Sequence, residues 1–274
     1  MRFCLNELNQ KCTEIRKDII EMIAGAASGH PGGSLSIVEI MVALYHTQMR
    51  IDSKNPNDPN RDRFVLSKGH AAPCYYAVLG DMGYFDKKEF ASFRQLNSIL
   101  QGHPDAKKTP GVDASTGSLG QGVSIATGMA LGAKAQKKDI HVYALLGDGE
   151  LQEGQVWEAS MATAHYKLDN LTLIIDHNGL QIDGANEQVM ALGSIVDKFQ
   201  SFGFHTIEVQ NGNDLEEIIA ALDADKPSDK PRCIIARTVK GKGVSFMENQ
   251  VGWHGKAPSE EEKHLALKEL EGQI

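Results

Sequence analysis

Cysteine is scarce: the 274 residues hold four, Cys4, Cys12, Cys74 and Cys233, scattered and without a CxxC pair. That distribution points to reduced thiols in a cytosolic protein, not to a disulfide framework. No excess of positive charge exists either. The net charge is −8, which argues against nucleic acid or an anionic membrane surface as partner, while leaving room for an anionic ligand in a locally basic or N–H-rich site. No apolar run approaches the ~20 residues needed to span a bilayer. The N-terminal stretch MRFCLNELNQKCTEIRKDII mixes both charge signs through its apolar positions and is not a signal peptide. There is no internal repeat, no low-complexity tract and no GxxxxGK[ST], which excludes a P-loop. TGSLGQG spaces its glycines as GxxGxG away from any strand, so it is not a dinucleotide fingerprint, and the KGKG at 240–243 reads as a flexible loop. No histidine pair shows the HxxxH or HxH spacing of a zinc site.

The chain does have enough apolar residues, 41%, for a real core within one α/β domain spanning 1–274. Residues 6–27 carry Leu8, Cys12, Ile15, Ile19, Met22 and Ile23 at helical spacing, and a second helix is expected from Ser34 through Met49. Pro56 and Pro59 bar a helix in NPNDPNRDR, and a short buried strand follows at 64–66. The stretch 101–122 is rich in Gly and Pro, an irregular segment of the kind that carries function. Beyond it, helices at 121–136, 153–166 and 214–223 alternate with short β-branched strands at 140–146, 171–176, 205–209 and 232–238. This alternation predicts a doubly wound, mainly parallel sheet flanked by helices. The tail, 259–274, is expected to be a solvated amphipathic helix.

Gly147-Asp148-Gly149-Glu150 stands directly after the strand HVYALL and before a helix. Ligands of open α/β sheets sit outside the carboxyl ends of the strands, and a helix N-terminus there offers free N–H groups to phosphate. The next strand delivers His177-Asn178-Gly179-Leu180 in the same plane. The Asp148 carboxylate, the Asn178 amide oxygen, a backbone carbonyl and phosphate oxygens make an all-oxygen site suited to Mg²⁺ or Ca²⁺, not zinc. Four histidines also lie in Gly- and Pro-rich breaks: His30 in SGHPGG, His70 in SKGHA, His103 in QGHPD and His254 in GWHGK. Such residues can donate to a diphosphate or to sugar hydroxyls and can shuttle protons near neutrality.

GDGELQEG followed by DHNGLQIDG resembles the thiamine-diphosphate motif of the transketolase family, and each of the four histidines matches a histidine motif of that family. The resemblance implies the thiamine-diphosphate-binding fold, with Asp148, the Asn178 side chain and the Leu180 carbonyl holding the metal and Gly149 contacting the diphosphate. It puts His70 and His254 near the diphosphate and substrate, and His30 and His103 against the sugar, with His30 and His254 also moving protons. TGSLGQG resembles the family's TGPLGQG, so Gly117, Ser118 and Leu119 would line the cofactor, with Ser118 where proline is usual. Glu153 and Glu158 match positions that form a carboxylate network across the family's subunit interface, where adjacent carboxylates share a proton.

The resemblance runs from about residue 10 to 260 but covers the family's first domain alone. The second domain, which supplies the glutamate that activates the aminopyrimidine and the basic residues that grip the sugar phosphate, is not in this sequence. The starting methionine and closing polar helix lead to the expectation of a split transketolase, active only with a C-terminal subunit in an α₂β₂ assembly. The implied reaction transfers a two-carbon ketol unit from a ketose or its phosphate to an aldose or its phosphate, as in the pentose phosphate pathway, with the cofactor performing the hard step. A 2-oxoacid dehydrogenase subunit lacks the four-histidine set, and a deoxyxylulose-phosphate synthase would be one long chain. A non-catalytic binding subunit would be expected to have lost metal or histidine positions.

Overall fold

The computed structural model describes residues 4–225 and 227–272, so the outermost residues of the expected 1–274 domain and the end of its tail lie outside the described residues. Five strands form one sheet: β1 (Arg63–Leu66), β2 (Val142–Gly147), β3 (Leu171–His177), β6 (His205–Val209) and β7 (Arg232–Arg237). Their spatial order is β1-β2-β3-β7-β6, and every pairing is parallel. The intervening β4 (Leu180–Gln181) and β5 (Gly184–Ala185) make a separate two-residue antiparallel ribbon.

Side chains alternate across the central strands as a twofold pleat requires. Phe64, Leu66, Tyr143, Leu145, Ile174 and Ile234 point to one core, together with α1 (Leu5–Gly25), α3 (Val38–Ala43), α4 (Ala72–Asp81) and α9 (Leu215–Asp223). Val65, Ala144, Leu146, Leu173, Ile175, Cys233 and Ile235 point to the other, under α5 (Gln121–Ala135), α6 (Gly154–His165) and α8 (Ile195–Ser201). Both faces are therefore covered, which is why these strands read as near-continuous apolar runs. The expected doubly wound parallel sheet is present. β6, at the edge, is mostly half-exposed, and its alternating polar residues reflect that.

Two expectations need correction, and a third element gains detail. The helix expected from Ser34 to Met49 starts earlier, at Pro31, as α2 (Pro31–Leu35), and is broken at Ser36-Ile37 before α3 continues into a π turn over Leu44–Gln48. The break has a cause: the Ser36 hydroxyl hydrogen-bonds to Asp176 Oδ2 at 2.7 Å and lies 3.2 Å from the Gly33 carbonyl. Those interactions fix the turn in a buried polar position. The helix expected at 153–166 is present as α6, and a 3₁₀ turn over Gly149–Gln152 joins it to GDG. Finally, α10 (Glu260–Gly272) is not simply a solvated tail, because Ala266 and Leu270 are fully buried in the core that includes α1. The short α7 (Asn186–Val189) follows the ribbon.

Candidate active site at the carboxyl ends of the strands

A cavity of about 310 Å³ opens where β2 and β3 end. It is lined by His30, His70, Gly117, Leu119, Asp148, Gly149, Glu153, Asn178, Leu180 and His254, so ten residues singled out from the sequence converge there. Register explains the meeting of Asp148 with Asn178. Gly147 of β2 pairs with Asp176 of β3, and the Asp148 N–H donates to the Asp176 carbonyl at 3.2 Å. The next residues of both strands must then leave the sheet side by side.

Asp148 is almost wholly buried. Its carboxylate accepts from Gly149 N at 2.8 Å and Gly179 N at 2.5 Å. Among the described residues it has no ion pair. Burial and the neighbouring Asp176 therefore push its carboxyl above the usual range, against the pull of those N–H groups and Asn186. Gly149 N–H, expected to be free for phosphate, is instead engaged by Asp148. The Asn178 amide nitrogen donates to Asp176 at 2.9 Å and its oxygen accepts from Leu180 N at 3.2 Å. The Leu180 carbonyl accepts from Lys240 Nζ at 3.0 Å. Beside them lies Asn186, 3% exposed, whose side chain bears on Asp148. A buried carboxylate without a cation and oxygen donors on two adjacent strand ends form a donor set that fits a hard divalent cation with its water or phosphate oxygens.

The motifs pass over the frame that holds these groups. Lys68 and Asp176 form a buried ion pair at 2.5 Å, with 2% and 0% side-chain exposure. Lys68 also donates to the Gly33 carbonyl at 3.0 Å, and Thr238 and Ser36 donate to Asp176. Burial works to raise the Asp176 pKa, but Lys68 and these hydroxyls win and the carboxyl stays below its ordinary value. The second buried acid of the GDGE turn is Glu150, which accepts from Ser67, from Gly120 N at 2.9 Å and from Gly147 N at 3.1 Å. It ties three loops together, and burial raises its carboxyl. An Asp at the end of β3 and a Ser-Lys just past the end of β1, with β2 between them, are the one signal that could have suggested the pair.

Three histidines cluster. Ring centroids lie 5.3 Å apart for His30 and His70, 5.6 Å for His30 and His254, and 5.3 Å for His70 and His254. His103 sits at the rim, 6.4 Å from His30. A Cβ on Gly117, whose φ is +144°, would come within 2.9 Å of its ring, so a residue with no side chain is needed at that crossing. Ser118 is exposed beside the cavity, not in its lining. Glu153 stands exposed at the rim, and Glu158 is exposed on α6, outside the lining.

Burial drives all four imidazoles toward neutrality, with Lys68, Lys240 and Arg94 adding to it. His30 falls to about 4 and His254 to about 3, and His70 and His103 shift the same way. Lys240 itself is lowered to about 8, first by burial and then by Lys68. Histidines with folded pKa values below the unfolded ~6.5 take up protons on unfolding, so stability falls as pH drops from about 6.5 toward 4. The melting temperature of the chain should decline through that window, above the range where most carboxylates titrate. Calorimetry at several pH values between 7.5 and 4.5 checks it, and a flat melting temperature there would contradict neutral buried rings.

Comparison with known proteins agrees with this geometry. The family profile described as "Transketolase, thiamine diphosphate binding domain" matches residues 8–272. An apulose-4-phosphate transketolase subunit of Phocaeicola vulgatus is 42% identical over 260 residues, covering 94% of this chain and 92% of that protein. A 6-deoxy-6-sulfo-D-fructose transketolase subunit of a Clostridium species is 41% identical, covering 97% and 96%. Human transketolase is 41% identical over 272 residues, but this chain spans only 43% of its length. The crystal structure of Campylobacter jejuni transketolase superposes with a TM-score of 0.92 at 36% identity, covering 98% of this chain and 43% of that one.

Proposed function

The chain belongs to the transketolase family, as its thiamine-diphosphate-binding N-terminal part, and from that premise we propose that it is the N-terminal subunit of a two-chain transketolase. It transfers a two-carbon ketol unit from a ketose or ketose phosphate to an aldose or aldose phosphate, together with a C-terminal subunit in an α₂β₂ assembly. Relatives of the same length are named as transketolase subunits for apulose 4-phosphate and for a sulfosugar, so donors of those kinds stand beside pentose phosphates. Four free thiols suit a cytosolic protein, and among the described residues no helix is long and apolar enough to cross a membrane. Residues 1–274 form one diphosphate- and metal-binding unit.

One observation carries the reading above the rest: a buried, unpaired Asp148 shares a cavity with Asn178, Leu180 and three clustered neutral histidines. Asp148, Asn178 and the Leu180 carbonyl would hold Mg²⁺, or Ca²⁺ in its place. Thiamine diphosphate, when bound, supplies the electron sink for cleaving and forming the carbon–carbon bond. This chain binds and orients. Gly149, Gly117 and Leu119 line the cavity and, with the Ser118 backbone, would contact the cofactor, Leu119 meeting its apolar rings, while His70 and His254 would face its diphosphate. His30 and His103, neutral at working pH, present ring N–H groups to sugar oxygens, and His30 and His254 pass protons. Glu153 and Glu158 lie on the surface the second copy would cover, where their carboxylates could share a proton only once brought into one dry interface.

Asp148→Ala tests the metal site. It removes the one anionic ligand beside a diphosphate, at a cost of at least ~3 kcal/mol by analogy with a broken buried pair. Isothermal calorimetry of the assembled enzyme should show Mg²⁺-dependent thiamine diphosphate binding weakened about 100-fold or more, with the circular dichroism spectrum unchanged. Unaltered affinity would remove Asp148 from the site. For the sugar end, His30→Ala and His103→Ala should keep near-native cofactor affinity while turnover drops ~10²–10⁴-fold. Full activity in both variants would make them ordinary loop histidines.

A further inference from the structure

Arg94 belongs to none of the motifs above, yet its guanidinium reaches the histidine cluster from behind. Nη2 lies 3.4 Å from His30 Nδ1 and 3.5 Å from the Gly102 carbonyl, and Nη1 donates to Ser28 Oγ at 3.0 Å. We propose that Arg94 is a positioning residue that fixes His30 as the Nε2–H tautomer, so that the ring edge turned away from Arg94 carries a hydrogen-bond donor.

The argument is one of donor counting. A guanidinium has five N–H donors and no acceptor. The ring nitrogen that meets it must therefore offer a lone pair, and a neutral imidazole then carries its single proton on the other nitrogen. His30 lines the cavity and Arg94 does not; Arg94 meets the Nδ1 edge, while a Cβ on Gly255, next to His254, would lie 3.8 Å from both Nε2 and Cδ2. Neutrality follows from the surroundings. The charged and titratable groups facing His30 are Arg94 and His103 on the loop side, Lys240 and Lys68 across the cavity, and the rings of His70 and His254. The cations among them all oppose a second ring proton.

The backbone shows that Arg94 is placed for this contact. Its φ of +62° is in the left-handed region, where glycine sits freely and a side chain does not. The conformation is held by its N–H to the Leu100 carbonyl at 2.8 Å. Its own Nε is buried without a partner, so the side chain's arrangement satisfies Ser28 and His30 before itself. The consequence for catalysis rests on the transketolase reading: a fixed N–H donor on the sugar side stabilises an oxygen that gains negative charge. The tautomer itself does not depend on that reading.

Long-range ¹H–¹⁵N correlation spectra of the full chain labelled in histidine distinguish Nδ1–H from Nε2–H rings, and His30→Gln identifies the His30 signals. The wild type should show His30 as Nε2–H at pH 7. Arg94→Met should give a mixed or reversed tautomer and a higher titration midpoint, whereas Arg94→Lys, which keeps a charged donor, should restore the wild-type signature at least in part. An Nδ1–H ring in the wild type, or an unchanged tautomer and midpoint in Arg94→Met, overturns the proposal. If Arg94→Met does not fold, the wild-type tautomer decides. In the reconstituted two-chain enzyme Arg94→Met should lower kcat about 10- to 100-fold with a smaller change in KM, and Arg94→Lys should lie between. Undiminished kcat despite a changed tautomer would refute the catalytic consequence, whereas complete inactivity of the wild type with the predicted tautomer would count against the transketolase reading alone.

Discussion

Purified alone, this chain should show no ketol transfer and bind thiamine diphosphate weakly; mixed with a C-terminal transketolase subunit from the same organism, it should gain both tight binding and activity. The physical reason is the cavity's one-sidedness. Its walls supply a carboxylate, an amide, carbonyls and neutral histidines, all suited to a metal and a diphosphate. By the family resemblance, the glutamate that activates the aminopyrimidine and the basic grip on the sugar phosphate come from another domain. The surface points the same way. Ile182 and Met190 near the cavity mouth, and Ile125, Met161 and Tyr166 on α5, α6 and the residue after α6, are large apolar side chains left exposed. A partner laid over the cavity mouth would cover Ile182 and Met190, and an obligate interface here should bury more than ~2,000 Å². The isolated chain should therefore also self-associate. Coupled ketol-transfer assays on each chain and on the mixture, with mass from light scattering, make the measurement. Robust transfer by this chain alone, or a mixture that stays inactive with every ketose donor tried, would sink the two-chain reading.

The second large effect is on stability. Lys68→Met should destabilise the chain by about 3–5 kcal/mol, the range for removing one partner of a buried ion pair. Asp176 would be left fully buried with only Ser36, Thr238 and Asn178 as donors. The pH dependence gives a second check. With Lys68 present, the Asp176 pKa lies below its unfolded value, so its contribution holds above the unfolded pKa and is lost as pH falls. Without Lys68 the folded pKa should rise above the unfolded one, and the deficit should shrink as pH falls through that raised value. Adding Asp176→Asn to Lys68→Met should recover part of the loss, since it removes the unpaired charge and keeps the shape. Urea denaturation of the wild type and the two variants would measure this, and a loss below ~1 kcal/mol for Lys68→Met would mean the pair is not what organises the site. Because Asp176 also holds the Asn178 amide at 2.9 Å, cofactor binding should weaken along with the fold.

Residue pattern was enough for the sheet and for the convergence of Asp148 and Asn178 at one cavity. Alternating apolar strands and helices define a doubly wound sheet, because strands buried on both faces leave few polar positions to misread. In such a sheet the residues following adjacent strands must emerge together, so the meeting of Asp148 with Asn178 was legible from spacing and strand order, whereas the parts expected of Gly149 and Leu180 came from the family resemblance. The family resemblance then supplied the four histidines and the Gly117–Leu119 loop. Packing in three dimensions selected Glu150 as the buried outer carboxylate of GDGE, and it tightened the turn to 3₁₀ before α6. Packing alone joined Lys68 to Asp176, Lys240 to His254 at 3.0 Å and Arg94 to His30. These are single polar residues on distant segments. Their partners are set by how α2, the β1 end and the β7 loop converge on one point, not by any local periodicity. Propensity and pattern record which face of an element is buried. They carry no record of which buried charge meets which, because that depends on distances between elements that are far apart in the chain.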